Sequence, residues 1–216
     1  MPSGDWLLPS IKFLPKSNAY GFWPASGEID LVESRGNREL IKSGINIGSD
    51  QITSSLHFGP HSKADAFTTF PRISSEKGKG FNNAFHRYQM EWSSEKITFS
   101  VDDIETATVK AKSGFWEKGD FETLLPGTLN PYTTGSKMAP FDQEFYLSIN
   151  LAVGESDTFS DDAINSAGVK PWSNNSISPM VDFWNAKNSW LPTWKVNENR
   201  TKEASFLIDY IRVWAL

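Results

Sequence analysis

Three carboxylates crowd one short stretch of the chain, "SGEIDLVESRGN" at residues 26–37, which carries Glu28, Asp30 and Glu33. The apolar residues Ile29, Leu31 and Val32 lie between them, the pattern of a β-strand with one face turned to a core. Side chains of a strand alternate, so Glu28 and Asp30 share a face, whereas Glu33, five residues from Glu28, falls on the other. Like charges side by side on a strand repel, so the grouping brings no stability of its own. A β-bulge within Leu31-Val32 removes the mismatch, because two residues then oppose one and Glu33 returns to the face of its partners. The three acids are then expected at successive same-face positions, roughly 6–7 Å apart along the strand.

Crowded carboxylates suit acid–base and nucleophilic work at a glycosidic bond. One Glu, ionised, attacks the anomeric carbon; the other, protonated, gives its proton to the leaving oxygen and then serves as base toward water. Retention of configuration needs the two carboxyls about 5–5.5 Å apart, inversion a wider gap. Crowding raises the pKa of at least one of the three, which keeps an acid protonated. Asp30, in the middle, can share a proton with the nucleophile.

The elements that must position these acids are strands. "GEIDLVES", "ITSSLHFG", "HRYQMEWSS", "KITFSVDD", "EFYLSINLAVG" and "ASFLIDYIRVWAL" are rich in β-branched and aromatic residues, and turn formers fill the gaps. "RYQMEWSSEKITFSVDD" reads as a hairpin about Ser93–Lys96, with Trp92 in the core. The last segment alternates with both faces largely apolar, which predicts a strand deep in a sheet packed on another. The fold class is an all-β sandwich, and 216 residues with 38% hydrophobic content fit one domain over 1–216. Nine Trp are divided between core packing and cleft walls, where an indole offers a flat face and a donor edge.

Net charge of −5 and a pI near 5.3 argue against a nucleic-acid partner. No apolar run is long enough to span a membrane, and without cysteine neither disulfide nor thiol chemistry contributes. Asn174-Asn-Ser and Asn199-Arg-Thr are acceptor triplets for glycosylation. The opening "MPSGDWLLPS" lacks the pattern of a signal peptide.

"WPASGEIDLVESRGN" resembles the active-site strand of family 16 glycoside hydrolases, in the bulged form of endo-1,3-β-glucanases (laminarinases). Its Glu-Ser-Arg-Gly-Asn continuation resembles the invertebrate branch, which also contains β-1,3-glucan recognition proteins. "GDWLLPSIKFLP", "SLHFGP", "FHRYQMEW", "APFDQEFYLSINLAVG", "FWNAKNSWLPTW" and "DYIRVWAL" extend the likeness over nearly the whole chain. The resemblance implies a β-jelly-roll of two antiparallel sheets whose concave sheet forms a polysaccharide cleft. It implies Glu28 as nucleophile, Asp30 as its helper and Glu33 as acid/base, with Trp23, Trp6, His57 and Asn150 against the substrate. Trp172, Trp184 and Trp190 are weaker cleft candidates, and His86 is structural.

The expected activity is endo-cleavage of β-1,3-glucan with retention; the alternative is non-catalytic recognition of the same polymer in innate immunity. No cofactor is required. A convex-face calcium, with Asp209 as one ligand, lacks a full ligand set, so no metal residue is assigned. The expected protein is an extracellular monomer whose partner is the polysaccharide. Family domains carry strands before the region where this chain opens, so the domain is expected to be N-terminally incomplete. Two departures stand out: Lys12, where relatives more often carry an aromatic residue, and Glu155-Ser156 after Gly154. Both are expected to alter neighbouring subsites rather than the chemistry.

Overall fold

A computed structural model of the chain describes residues 1–74, 79–156, 158–196 and 202–215. Eleven strands are present among them: β1 Leu7–Pro15, β2 Glu28–Ser34, β3 Leu40–Lys42, β4 Ile45–Asn46, β5 Gln51–His57, β6 Thr68–Ile73, β7 Tyr88–Trp92, β8 Lys96–Val101, β9 Ile104–Lys110, β10 Phe145–Val153 and β11 Ile164–Asn165. Five form one antiparallel sheet in the order β10-β1-β2-β5-β6. A second, β7-β8-β9, packs on it, and β11-β3-β4 forms a small third sheet. The architecture is the jelly-roll sandwich anticipated from the sequence.

Strand alternation builds the core. Ile29 and Val32 of β2, and Leu56 and Ile52 of β5, point to one side and are fully buried or nearly so. Ile97, Phe99 and Val101 of β8 meet them from the facing sheet, with Phe58, Phe115 and Phe141 completing the cluster around Ile29 and Leu56. The β7–β8 hairpin turns where the sequence places it, with Ser93 N–H donating to Lys96 O at 3.0 Å. Asp102 and Asp103, both at positive φ, make the tight two-residue connection from β8 to β9. Trp92 is half-buried against Phe13 and Phe145.

The "ESRGN" run after the acids has a packing reason. A Cβ at Gly36 would stand 2.5 Å from the Gly4 carbonyl oxygen, so no larger residue fits there. Arg35 donates to the Thr158 and Ile47 carbonyls, and buried Asn37 accepts from the Trp6 N–H and donates to Asn165. This network fixes the end of β2 against β1 and β11.

The final segment is a correction. Residues 206–215 carry no ladder in the structure, and Leu207, Ile208, Tyr210, Ile211, Val213 and Trp214 are exposed. An alternating apolar pattern becomes a buried strand only beside a partner, and no described strand runs alongside it. Asp209 lies on this segment and is exposed. Asn199 lies outside the described residues, whereas the exposed Asn174 donates its side-chain amide to Phe159 O at 3.2 Å.

Candidate active site

β2 is the axis of the five-stranded sheet. Gly27, at φ +80°, turns the chain into it, with its N–H donating to Pro24 O. Against β5, Asp30 pairs with Ser55 and Glu33 with Thr53, so Leu31 and Val32 together oppose Ser54. Against β1, Val32 pairs with Ile11 and Asp30 with Lys12, which skips Leu31. The bulge thus sits at Leu31-Val32 on both sides, as the parity argument requires. Ser54 Oγ donates to the Leu31 carbonyl at 2.8 Å and holds the displaced peptide. Glu28, Asp30 and Glu33 consequently share one face, with Val32 buried on the other.

Lys12 was expected to matter only for subsites, and here the structure corrects the sequence reading. Its Nζ lies 3.0 Å from Glu28 Oε1, 3.2 Å from Asp30 Oδ1 and 3.0 Å from Glu33 Oε1. Both glutamate oxygens are held by one nitrogen, so they stand no more than about 6 Å apart. Asp30 is completely buried, and its Oδ1 has this ion pair but no aligned hydrogen bond. The pairing of Lys12 with Asp30 across β1 and β2 explains the convergence, since directly opposed side chains rise from the same face.

Three more groups complete the site. Trp23 Nε1 donates to Glu28 Oε2 at 2.8 Å. His57, opposite Glu28 in the ladder, contacts Asp30 Oδ2 through Nε2 at 3.2 Å and Asp65 Oδ2 through Nδ1 at 2.7 Å. Phe67 stacks on His57 with centroids 4.6 Å apart, and Trp23 lies tilted to the same ring at 5.5 Å. Trp23, His57 and Phe67 therefore form an aromatic row beside the acids, with Trp23 and Phe67 about half exposed.

The electrostatics separate the two glutamates. Burial pushes Glu28 up, but the charge and hydrogen bond of Lys12, a hydrogen bond with Asp30 and the charge of His57 hold it below the usual carboxylate range. Burial and then the charge of Asp30 push Glu33 up, and the opposing pull of Lys12 and His57 does not cancel this. Burial raises Asp30 as well, against the hydrogen bond from His57 and the charge of Lys12. Burial lowers the His57 pKa, but its bonds to Asp30 and Asp65 more than offset it, to about 10. His57 thus stands between two carboxylates, Asp30 at Nε2 and Asp65 at Nδ1. Lys12 rises above its ordinary value because three carboxylates outweigh its burial. Glu28, Asp30 and His57 each offer an atom within 4.8 Å of the others, a spacing a cation could bridge; the Lys12 ammonium already holds two of them.

Of the residues read from the sequence as substrate contacts, Trp23 and His57 stand at the acids. Asn150 is exposed and pairs with Ser10, itself opposite Glu33, so it belongs to the same face. Trp6 does not line the cleft. It is 1% exposed and packs edge-on against Phe159 and Trp172. Trp172 and Trp190 are buried with it, and Trp184 is exposed. His86 pairs with Asp102 away from the acids. Asp65 and Phe67 were not singled out in the sequence; an acid eight residues after His57, in "HSKADAF", was the available signal.

Residues 13–130 match the sequence profile described as "Glycosyl hydrolases family 16". A protein named β-1,3-glucan-binding protein from Penaeus monodon is 44% identical over 218 residues, covering all of this chain and 57% of that protein. The chain belongs to glycoside hydrolase family 16. A protein from Cryptopygus antarcticus named glucan endo-1,3-β-glucosidase is 33% identical over 159 residues, 71% of this chain and 47% of its own length. The chain thus spans about half the length of these curated relatives. In fold it is similar to the family 16 endo-glucanase of Bacteroides ovatus, with a TM-score of 0.51 at 21% identity, covering 74% of this chain and 53% of that one.

Proposed function

We propose that this family 16 cleft binds β-1,3-glucan and cleaves it internally with retention of configuration. The observation that carries the reading is the glutamate pair: two carboxyls within about 6 Å, one held below and the other above the usual range. That spacing matches the roughly 5–5.5 Å of retaining enzymes better than the ~6.5–9.5 Å that inversion needs. Opposed pKa shifts assign the roles. Glu28, ionised, attacks the anomeric carbon, while Glu33 gives its proton to the departing glycosidic oxygen. Water then adds to the glycosyl ester, Glu33 takes the water's proton, and Glu28 leaves as carboxylate. Asp30, buried between them and paired with His57, orients Glu28.

The polymer class is supported by the names of the two relatives, both of which specify a β-1,3-glucan. The chemistry requires no cofactor, and we read the protein as an extracellular monomer. A second reading, glucan recognition without turnover, is favoured by one specific observation: Lys12 Nζ stands between the acting carboxylates. The two readings separate in one experiment, release of reducing ends from laminarin followed by NMR at the anomeric carbon. Initial formation of the β-anomer supports the proposal. Binding of laminarin with no cleavage, in a chain extended to the full length of its relatives, leaves recognition as the function.

A further inference from the structure

We propose that Lys12 is a positioning residue whose ammonium occupies the reacting position of the cleft, so that a polysaccharide spanning Glu28 and Glu33 must displace it before either can act. The inference takes its polymer from the reading above, but its basis is the geometry of the free site. An anomeric carbon attacked by Glu28, with its glycosidic oxygen protonated by Glu33, has to lie within reach of both carboxyls. That gap is where Nζ sits, 3.0 Å from an oxygen of each. The second oxygen of Glu28 is held by Trp23, so both oxygens of this carboxylate have a partner in the free site.

The elements around Lys12 carry the remaining charged groups of the site. β2 contributes Glu28, Asp30 and Glu33, with Arg35 just beyond it. β5 contributes His57, backed by Asp65. β10 places uncharged Ser148 opposite Lys12. His57 is directed to Asp30 and Asp65, so Lys12 is the cation that bridges both glutamates. Its side chain is 26% exposed and its four-carbon stem is flexible, so it has a way out toward solvent. Displacement does two things together. It clears the gap, and it removes the positive charge that opposes protonation of Glu33. Entry of the sugar and arming of the acid are then one event, and a site at rest is closed.

The test uses an S-linked β-1,3-glucan hexasaccharide, which spans the site without being cleaved. Its affinity is measured by calorimetry for the wild type, Lys12→Met, Lys12→Gln and Lys12→Arg. Removing the tethered cation is expected to tighten binding at least tenfold in the Met and Gln variants, since an internal competitor lowers apparent affinity by the fraction of time it leaves the site open. Lys12→Arg, which keeps the charge, is expected to stay within threefold of wild type. Equal affinities in all four proteins overturn the proposal. If no protein binds the probe, the glucan reading fails by itself, and the carbon-13 titration of the Glu33 carboxyl in free protein decides. A higher Glu33 pKa in Lys12→Met or Lys12→Gln than in wild type upholds the bridging role of Lys12; an unchanged one overturns it.

Discussion

Two aromatic-rich regions lie near the ends of β1, and they do opposite things with the same residue types. Around Trp6, the rings of Phe159, Trp172, Phe183 and Trp190 pack edge-on or stacked, and the first three tryptophans of this set are almost fully buried. Around Glu28, the half-exposed Trp23 and Phe67 flank the more buried His57 beside three carboxylates and a lysine. In the first region the ring edges meet other rings. In the second, the indole N–H of Trp23 is spent on a carboxylate and the ring faces remain open. What separates a cleft aromatic from a core aromatic here is therefore how much of its ring stays open to solvent, not its type or its neighbours in sequence.

Substitutions should separate the two regions cleanly, and the largest effect belongs to the acids. Glu33→Gln is expected to lower turnover of laminarin by about 10²–10⁴-fold, and Glu28→Gln by at least as much. Glu33→Gln should not lower the melting temperature, because burial and the charge of Asp30 already disfavour its ionised form. A parallel loss of melting temperature would place this acid with the structural region. Trp6→Ala should show the opposite profile, costing about 3–5 kcal/mol of stability through the cavity it leaves in the aromatic cluster. Denaturant unfolding measures this; a variant of normal stability with impaired glucan binding would return Trp6 to the cleft.

Trp23→Phe is a subtler probe, since it keeps a ring and deletes only the donor to Glu28. A hydrogen bond to a charged group is worth about 1.5–3 kcal/mol, so turnover should fall roughly ten- to a hundredfold and the Glu28 pKa should rise. Unchanged turnover would make Trp23 a sugar platform only. A further effect is on stability against pH. His57 titrates near 6.5 when unfolded and at about 10 in the fold. Its contribution is thus fully present below pH 6.5 and is lost as pH rises toward 10. Thermal melts should drop by roughly 2–4 °C per kcal/mol lost across that window, and His57→Asn should flatten the slope.

Much of this arrangement could be read from the chain. The strand, its carboxylates, the bulge at Leu31-Val32 and the β7–β8 hairpin all follow from alternation and local turn chemistry, which act over a few residues. Lys12 shows where that stops. Its role depends on lying opposite Asp30 in a neighbouring strand, and cross-strand register is set by the sheet as a whole. Trp6 failed for a related reason: being close in sequence to cleft residues does not say which side of the sheet a ring is packed on. The final segment failed because alternation reports which faces are apolar, not whether a partner strand is there to cover them.

The bulge has one more consequence, for how such a strand tolerates change in length. Leu31 and Val32 together oppose Ser54, so losing Leu31 would leave Val32 paired with Ser54 and Glu33 still paired with Thr53. No downstream residue would change face, and the acids would keep their common side. Gaining a residue elsewhere in β2 has no such escape and turns every later side chain over. The strand therefore carries a one-residue allowance in one direction only, so ancestors and descendants of this site can differ by a single deletion and still place the same acids against the same substrate.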